Sequence, residues 1–395
     1  MLTILCIATY FKGDAYLREC HRLGCTVLLL TSDPLAGAEW PRDSIDEIHS
    51  IPRDASDADI RRRVDRIALK RRIDRIAALD DFDVEMGGML REHLQVPGIG
   101  RTVAGGYRDK LAMRVKARAL GLRVPEFSPV FNDHELHEFT GRVAGPWVLK
   151  PRSSAAAIGI KKVANRDQLW RALEAAGDER SNGVLEQFVK GDVYHVDSIV
   201  WNGRVVFAVA FKYGRPPMEV AHQGGLFVTR RLQDDSADAA ALVAANEQLQ
   251  AGLGMQRGVS HTEFIRAGDG GFVFLETSAR VGGAFIVDTI EAATGVNLWR
   301  EWARLDATPD GSDYAVPSHR RDYAGIVLTL ARQEWPDMSG YTEPEVVTTI
   351  RKPHHAGVIF GAADPQRIEA LIGDYTQRFY RDFFATAPPP ERPVE

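Results

Sequence analysis

The sequence predicts a Rossmann-like α/β head followed by α+β domains, and three observations lead to this prediction. The chain has 395 residues, more than the roughly 100–200 that are typical of one domain, so two or three domains are expected. In the N-terminal part, apolar runs alternate with helical segments, which favours a small parallel sheet with helices on both faces. After Pro97-Gly98 most runs are typical of antiparallel strands grouped around helices.

The head begins with two short runs of β-branched and apolar residues, the pattern that is typical of strands. Ile60, Val64 and Ile67 recur at helical spacing, and we assign Ile76 to the same apolar helical face. The other predicted elements of the head are strands at Thr3–Ala8, Thr26–Leu30 and Asp83–Met86 and helices at Ala15–Leu23 and Met89–Leu94.

Beyond the head, Lys110–Leu120 is predicted to be a helix because Gly121 ends its pattern and Pro125 follows. A second, long helix is expected at Ala237–Leu253. The predicted strands are Trp147–Lys150, Gly183–Val189, Val193–Val200, Val205–Lys212, Val259–Arg266 and Phe272–Thr277. A C-terminal α/β part is expected from strands at Asp322–Ala331 and His355–Phe360 and a helix at Pro365–Phe384.

Composition excludes several classes of protein. Hydrophobic residues make up 45% and charged residues 26%, which is typical of globular domains and not of disordered or fibrous chains. The net charge of -5 leaves no electrostatic footprint for nucleic acid, and no run reaches the roughly 20 apolar residues that span a bilayer. We therefore expect neither a nucleic acid nor a membrane as partner.

The cysteines and the N-terminus indicate the cytoplasm. Cys6, Cys20 and Cys25 are the three cysteines, and so few in a long chain are expected to be free thiols in a reducing compartment. The apolar run Met1–Ala8 lacks a charged n-region and a small-residue cleavage site, so we interpret it as a strand and not as a signal peptide.

The common nucleotide fingerprints are absent. No G-x-x-x-x-G-K-[ST] occurs, and the loop after the first strand, Thr9–Gly13, contains one glycine where a dinucleotide-binding turn needs several. A P-loop NTPase and a dehydrogenase are therefore disfavoured.

The most informative segment is a hairpin that carries two glutamates. If Gly268–Gly271 form its loop, Ala267 pairs with Phe272, and Glu263 then lies opposite Glu276. His261 lies opposite Ser278 in the same register. Like charges that oppose each other across a ladder destabilise it by about 0.2–1 kcal/mol, and a hard divalent cation between the carboxylates would compensate. A loop of five residues would break this register, and two solvent-facing glutamates on an edge hairpin are the alternative.

Two lysines lie where an anion is favoured. Lys150 ends a predicted strand and enters the loop Ser153–Gly159, whose small residues allow backbone N–H groups to approach phosphate oxygens. Lys110 begins a predicted helix, and the helix N-terminus adds to its positive charge. Each lysine alone is typical of a surface, but the two combined with the glutamate hairpin indicate a nucleotide phosphate site.

Five segments, taken in order from about Tyr107 to Trp299, resemble the ATP-grasp superfamily. They are Arg108-Asp-Lys110-Leu, Val148-Leu-Lys150-Pro with its loop, Val184-Leu-Glu186-Gln-Phe-Val-Lys-Gly191, Thr262-Glu263-Phe and Phe274-Leu-Glu276-Thr-Ser278-Ala-Arg280-Val-Gly-Gly283. The resemblance implies a Rossmann-like pre-ATP-grasp domain that does not bind NAD, an ATP-grasp fold of two α+β subdomains, and a C-terminal α/β cover. The implied boundaries are 1–106, 107–185 (small and lid subdomains), 186–312 (central catalytic subdomain), 313–385 (cover) and 386–395, a tail that we expect to be disordered.

The resemblance also implies a role for individual residues. Lys110 and Lys150 would contact the phosphates of ATP, and Lys150 and Arg280 would be catalytic. Arg280 would hold the transferred phosphoryl group or a substrate carboxylate, for which its planar fork is suited. Glu263 and Glu276 would bind Mg²⁺, with Mn²⁺ as an alternative ion. The other implied nucleotide contacts are Ser153, Ser154 and Gly159 over the phosphates, and Glu186, Gln187, Phe188 and Val189 at the adenine.

Three departures from the family pattern bear on these roles. Ser278 stands where the family usually has asparagine as a metal ligand; its hydroxyl is the third expected Mg²⁺ ligand, directly or through water, and the number of metal ions is left open. Val193 stands at the usual ribose-binding carboxylate, which makes Asp192 or Asp197 the expected substitute. Ala155–Ala157 replace glycines that many members have, so a stiffer phosphate loop is expected.

The function that this resemblance implies is ATP-dependent ligation of a carboxylate to an amine, or to a thiol, through an acyl phosphate. The expected partners are a small carboxylic acid or amino acid and a small amine, as in amino-acid, dipeptide and carnosine-synthase-like ligases, and a homodimer is a further expectation. Two alternatives stay open. One is a carboxylating enzyme like biotin carboxylase, although the phosphate loop lacks the glycine run of that group, and the other is a non-catalytic ATP-binding module, which Ser278 keeps open.

Overall fold

The structure is a computed structural model that describes residues 2–155 and 158–386. Two alanines of the predicted stiff loop and the tail from residue 387 onward lie outside the described residues. The helices are α1 (Asp14–Arg22), α2 (Asp57–Ala68), α3 (Val84–Leu94), α4 (Arg101–Gly105), α5 (Lys110–Ala119), α6 (Asp133–Arg142), α7 (Arg166–Ala176), α8 (Pro217–Gln223), α9 (Ala237–Leu253), α10 (Ile286–Thr294), α11 (Leu298–Ala307) and α12 (Pro365–Asp382). Within the described part of the chain, none of them combines the length and the apolar character that crossing a bilayer requires.

The head contains the predicted parallel sheet. Its four strands are β1 (Thr3–Ala8), β2 (Thr26–Ser32), β3 (Glu47–Ile51) and β4 (Arg75–Ala78). They lie in the order β3-β2-β1-β4, and every neighbouring pair is parallel. Cys6, Cys20 and Cys25 are free and buried in this part of the molecule, as predicted for thiols.

Two predictions for the head were wrong. Asp83–Met86 is not a strand: Asp80 accepts a hydrogen bond from the Phe82 amide at 3.1 Å and starts a 3₁₀ turn that leads into α3. This capping favours a helical start, which outweighs the apolar character of the segment. Ile76 lies in β4 and not on the face of α2, because α2 ends at Ala68.

A small antiparallel sheet follows the head. Its strands are β5 (Phe127–Pro129), β6 (Trp147–Pro151), β7 (Lys161–Val163) and β8 (Gly183–Gln187), in the order β5-β8-β6-β7. Helices α6 and α7 bury apolar side chains against it, among them Leu136, Phe139 and Leu169. This packing fixes β6 and β8 side by side, so that the residues of one strand directly neighbour those of the other.

The largest sheet has eight antiparallel strands. They are β9 (Asp192–Trp201), β10 (Arg204–Tyr213), β11 (Phe227–Arg231), β12 (Arg257–Arg266), β13 (Phe272–Ser278), β14 (Tyr323–Leu330), β15 (Val346–Lys352) and β16 (His355–Ala362). Their order is β13-β12-β9-β10-β11-β14-β16-β15. The C-terminal strands continue the central sheet through the β11–β14 pair. Helix α9 packs on the sheet near β9 and β10, and α12 packs near β14 and β16.

The glutamate hairpin has the predicted pairing of its glutamates but a different loop length. Arg266 pairs with Phe272, so the loop has five residues and the prediction of four was wrong. A register shift between Phe264 and Glu263 then leaves Leu275 as an extra residue on β13. This bulge restores the predicted pairs, Glu263 with Glu276 and His261 with Ser278.

The sheet requires a glycine immediately before β9. A Cβ placed on Gly191 would lie 1.9 Å from the carbonyl oxygen of Arg266, at the end of β12. We therefore predict that Gly191→Ala pushes β9 away from β12 and costs about 1–3 kcal/mol, because an overpacked backbone contact has no flexible partner that can yield. Thermal unfolding followed by circular dichroism should show a lower midpoint.

The matched control is Gly268→Ala, whose Cβ would meet no atom within 4 Å. We expect its unfolding midpoint to equal that of the wild type. Equal midpoints for the two variants would contradict the close approach of β9 and β12.

Candidate functional site

A buried ionic cluster lies between α5 and the small sheet. Lys150 on β6 places its Nζ 2.7 Å from Glu186 Oε2 on β8, and Arg114 NH2 of α5 lies 2.8 Å from Glu186 Oε1. Lys150 is 7%, Glu186 1% and Arg114 0% exposed. Burial raises the pKa of the Glu186 carboxyl, but the charges of Arg114 and Lys150 outweigh it, and the net shift is downward. The structure thus brings Lys150 and Glu186 together as one charged unit.

Lys110 joins this cluster to the glutamate hairpin. It is the first residue of α5, whose N-terminus is capped by the Asp109 side chain. Its Nζ donates to the carbonyl oxygen of Ser154 at 2.7 Å and lies 3.0 Å from Glu276 Oε2. Burial raises the pKa of Glu276, but the charges of Lys110 and Lys150 lower it by more. The net shift is downward, so this carboxyl is held as a carboxylate.

The start of the predicted phosphate loop is fixed by the same helix. The backbone of Lys110 donates to the carbonyl oxygen of Arg152 at 2.8 Å, and Arg108 donates to that of Ser153. At the other end of the loop, Gly159 has φ +73°, and a Cβ there would lie 2.8 Å from Pro151 Cγ. Ser153 and Ser154 thus lie beside Arg108 and Lys110, and Gly159 lies beside Pro151, the residue after Lys150. We call the region around Lys110, Lys150 and the two hairpin glutamates the cleft.

The two glutamates of the hairpin are held by different donors. Glu263 Oε1 accepts a hydrogen bond from the Tyr213 hydroxyl at 2.8 Å, whereas Glu276 is paired with Lys110. Separate partners explain how the ladder tolerates opposed carboxylates. The Glu276 side chain is 37% exposed and the Glu263 side chain 12%, so both side chains are partly accessible. Two carboxylates in facing positions are the hard oxygen donors that suit Mg²⁺.

Ser278 meets a carboxylate that comes from the head. Its hydroxyl donates to Asp81 Oδ1, and Arg108 NH1 lies 2.9 Å from Asp81 Oδ2. Arg280 NH2 lies 3.6 Å from the same oxygen. Burial raises the pKa of Asp81, but Arg280 and Arg108 outweigh it, so the net shift is downward. Asp81 therefore links the head to the loop after β13.

Arg280 is placed to receive an anion. Its NH1 donates to the carbonyl oxygen of Val281 at 2.6 Å, while its Nε is buried without a hydrogen-bond partner among the described residues. A buried donor that lacks a partner costs about 1–3 kcal/mol, which a ligand oxygen would recover. The residues present thus fit a bound phosphate or carboxylate.

The predicted adenine hinge joins β8 to β9. The amide of Gln187 donates to the carbonyl oxygen of Glu126 at 2.7 Å, and that of Phe188 donates to Pro146 at 3.0 Å. Val189 packs against a cluster of Val193, Tyr213 and Ile265 on the large sheet. The hinge is therefore anchored to the small sheet at one end and to the large sheet at the other.

The two carboxylates expected at a ribose lie in different surroundings. Asp192 is exposed at the start of β9 and pairs with Lys212 Nζ at 2.6 Å. Asp197 is 0% exposed, and its two oxygens face the Nδ1 atoms of His195 and His261. Of the two, only Asp192 has an accessible side chain.

Several residues of the site were not singled out by sequence. Arg114 was missed because one arginine among several on a helix carries no signal of burial. Asp81 was missed because the predicted strand began only at Asp83 and the acids before it were not interpreted, although acids after a parallel strand are a recognisable pattern. Tyr213 was missed because its contact with Glu263 depends on pairing between distant strands, and His261 was placed opposite Ser278 without a role.

The chain matches a known domain over part of its length. Residues 143–288 match the ATP-grasp domain model. An L-arginine-specific L-amino acid ligase from Bacillus subtilis is 25% identical over 231 residues, which cover 57% of this chain and 55% of that protein. A D-alanine--D-alanine ligase from Neisseria gonorrhoeae is 25% identical over 223 residues, 52% of this chain and 70% of that protein. The chain thus spans about half the length of the Bacillus subtilis relative.

Solved structures extend the likeness to the whole fold. The crystal structure of an L-amino acid ligase from Bacillus licheniformis has a TM-score of 0.77 at 16% identity, covering 98% of this chain and 99% of that one. An N5-carboxyaminoimidazole synthetase from Staphylococcus aureus complexed with ADP has a TM-score of 0.72 at 16% identity, covering 94% and 96%. Residues 143–288 thus match an ATP-grasp domain, and the chain as a whole shares the fold of these solved structures.

Proposed function

We propose that the protein is an ATP-dependent, ADP-forming carboxylate–amine ligase that uses Mg²⁺ and an acyl phosphate. The observation that carries the proposal is one cleft in which Glu276 lies opposite Glu263 and 3.0 Å from Lys110. Lys110, a cation suited to phosphate oxygens, thus forms an ion pair with Glu276, a carboxylate suited to a divalent ion. This combination suits phosphoryl transfer, which needs positioning and charge neutralisation more than covalent chemistry by the protein.

The nucleotide would lie between the small and the large sheet. Lys110 and Lys150 would bind its phosphates, with the loop of Ser153, Ser154 and Gly159 over them. The hinge from Glu186 to Val189 would hold the adenine, with the Glu186 side chain acting through Lys150 and Arg114 because both its oxygens face these cations. Asp192 is the accessible candidate for the ribose. Glu263 and Glu276 would hold Mg²⁺, which when bound neutralises charge on the transferred group.

The acid would react beside Arg280. One carboxylate oxygen attacks the γ-phosphorus, the bond to the β–γ bridging oxygen breaks, and ADP leaves. The amine nitrogen then attacks the acyl carbon, the carbon–oxygen bond to the phosphate breaks, and inorganic phosphate departs while the nitrogen loses a proton. Arg280, aligned by Asp81, would orient the oxygens that carry negative charge in both steps.

The relatives suggest the substrate class. Both curated relatives are named as ligases that act on amino acids, and the Bacillus licheniformis structure is that of an L-amino acid ligase. We infer that the acid is an amino acid or another small carboxylic acid and that the acceptor is a small amine, with a thiol as a further possibility. We also propose a cytoplasmic location, which the three buried free thiols support, and a homodimer.

Replacing one metal-site glutamate tests the proposal. ADP release by the full chain should require ATP, Mg²⁺, an acid and an amine together, assayed with pairs of L-amino acids. Glu276→Gln removes a charge that would hold the ion, so kcat should fall about 100- to 1,000-fold, the usual loss when one group that stabilises developing charge is removed. A coupled assay for ADP and mass spectrometry of the amide product measure it.

Asp269→Asn is the matched control, because Asp269 lies in the loop of the same hairpin, is exposed and forms an ion pair with Arg123. It should retain full activity. Undiminished ligation by Glu276→Gln would contradict the metal site. ADP release with bicarbonate alone would favour a carboxylating enzyme, and ATP binding without turnover on any pair would favour a binding module.

Asp81 provides a second test. Asp81→Asn keeps the size of the side chain but leaves Arg108 and Arg280 without their shared carboxylate. We predict that kcat falls about 100-fold, since a misplaced positioning group can cost that much, while ATP affinity stays within about 2-fold.

Steady-state kinetics and calorimetric titration with ATP separate these two effects. Asp235→Asn, at an exposed position beyond the cleft, is the control and should match the wild type in both. If Asp81→Asn weakened ATP binding and left kcat unchanged, the assignment of Asp81 to Arg280 would be wrong.

A further inference from the structure

Behind Glu263 lies a chain of buried polar side chains that the proposed reaction does not use. We name it the Asp197 network, and its members are Tyr213, His261, Asp197, His195 and Thr229. Their exposure is 9% or less, and three of them are wholly inaccessible to solvent. Buried polar groups are costly unless each is hydrogen-bonded, so the network requires an explanation.

Strand pairing places the network directly beside the hairpin. On β9, His195 and Asp197 are two residues apart, as are His261 and Glu263 on β12. In the β9–β12 register, His261 pairs with Asp197 and Glu263 pairs with His195. Because alternate residues of a strand share a face, all four side chains lie on the same face of the large sheet.

Asp197 fixes the orientation of both imidazoles. Its Oδ1 lies 2.9 Å from His261 Nδ1, and its Oδ2 lies 2.6 Å from His195 Nδ1. A carboxylate accepts hydrogen bonds, so each Nδ1 carries a hydrogen and each ring has one allowed orientation. On the far side, His195 Nε2 lies 2.8 Å from the Thr229 hydroxyl, which closes that end of the network.

The other end of the network points at the metal-site carboxylate. His261 Nε2 lies 3.4 Å from the Tyr213 hydroxyl and 3.6 Å from Glu263 Oε1. The Tyr213 hydroxyl donates to that same Oε1 at 2.8 Å. Glu263 therefore accepts the Tyr213 hydrogen bond and faces the His261 ring on the same oxygen, which orients the carboxylate and directs its other oxygen to a ligand.

The loop that carries Arg280 rests on the same network. A Cβ on Gly282 would lie 3.0 Å from both Asp197 Oδ1 and His261 Nδ1. This spacing shows that the backbone after Arg280 is packed against the Asp197–His261 pair. The network thus supports two elements of the cleft from behind.

A metal ion within the network is a weaker interpretation. His195, Asp197 and His261 offer ligand atoms that lie within 4.8 Å of one another. Yet both oxygens of Asp197 and both nitrogens of His195 are already engaged in hydrogen bonds. An ion would have to break these bonds, whereas orienting Glu263 uses them as they stand.

We propose that Tyr213, His261 and Asp197 are positioning residues that aim the Glu263 carboxylate at the divalent ion. This inference rests on the proposed function, in which Glu263 binds that ion. Groups that orient a metal ligand usually contribute about 10- to 100-fold in metal affinity.

The test measures Mn²⁺ binding to the full chain in the presence of ADP. Binding is detected as the loss of the free Mn²⁺ signal in electron paramagnetic resonance. Tyr213→Phe removes the hydroxyl that contacts Glu263 and keeps the ring, and Mn²⁺ affinity should fall about 10- to 100-fold. Affinity for ATP in the presence of a chelator should stay within about 2-fold. His261→Gln, which loses the aligned Nε2, should weaken Mn²⁺ binding in the same range.

Asp197→Asn separates the network from a ribose contact. As a positioning residue, Asp197 matters for Mn²⁺ and not for metal-free ATP, so only Mn²⁺ affinity should fall. A loss of metal-free ATP affinity in Asp197→Asn would overturn the inference and restore Asp197 as a nucleotide contact.

Tyr16→Phe is the matched control, because Tyr16 also donates from a buried hydroxyl to a carboxylate, Asp306 at 2.7 Å, away from the cleft. Its Mn²⁺ affinity should equal that of the wild type. Glu263→Gln distinguishes a failure of the proposed metal site from a failure of the proposed positioning residues. If it leaves Mn²⁺ binding unchanged, the proposed metal site fails, whereas if it abolishes binding and Tyr213→Phe has no effect, this inference alone fails.

Discussion

The cleft depends on one buried interaction, the pairing of Glu186 with Lys150 and Arg114. Removing three charged groups from water is expensive, and the loss is offset only when every charge has a close partner. The cluster joins α5 to β6 and β8, so Lys110 at the start of α5 and Lys150 on β6 are held at a set separation. A hydrophobic core of equal volume would hold these elements together as well, but it would not place a cation where we propose that the nucleotide phosphates bind.

The second constraint is the pairing of Glu263 with Glu276, and it is reached through local irregularity. A five-residue loop and a bulge at Leu275 together bring the two carboxylates opposite each other. Lys110 pairs with the Glu276 carboxylate and Tyr213 donates to the Glu263 carboxylate, so each negative charge is stabilised by its own partner. Asp81 adds a contact from the head, so the loop that contains Arg280 is aligned by a residue almost two hundred positions earlier in the chain.

The sequence allowed the parallel head, the long helix Ala237–Leu253 and the facing glutamates to be predicted, because periodicity and turn chemistry act locally. The register was predicted correctly from a loop length that was wrong, since Gly-Asp-Gly-Gly accommodates more than one turn and a bulge is invisible in a pattern of apolar residues. Asp81 and the Asp197 network required tertiary pairing. Ile76 was misplaced because helical spacing was continued past Ala68, where α2 ends.

The central claim is that this cleft activates a carboxylate as an acyl phosphate, and the fate of one oxygen atom tests it most directly. L-amino acids labelled with ¹⁸O in both carboxylate oxygens are incubated with ATP and Mg²⁺, and the released phosphate and the amide are analysed by mass spectrometry. The account predicts that each inorganic phosphate carries one ¹⁸O and each new amide retains one. Release of phosphate that contains no ¹⁸O, with amide formation undiminished, would contradict it.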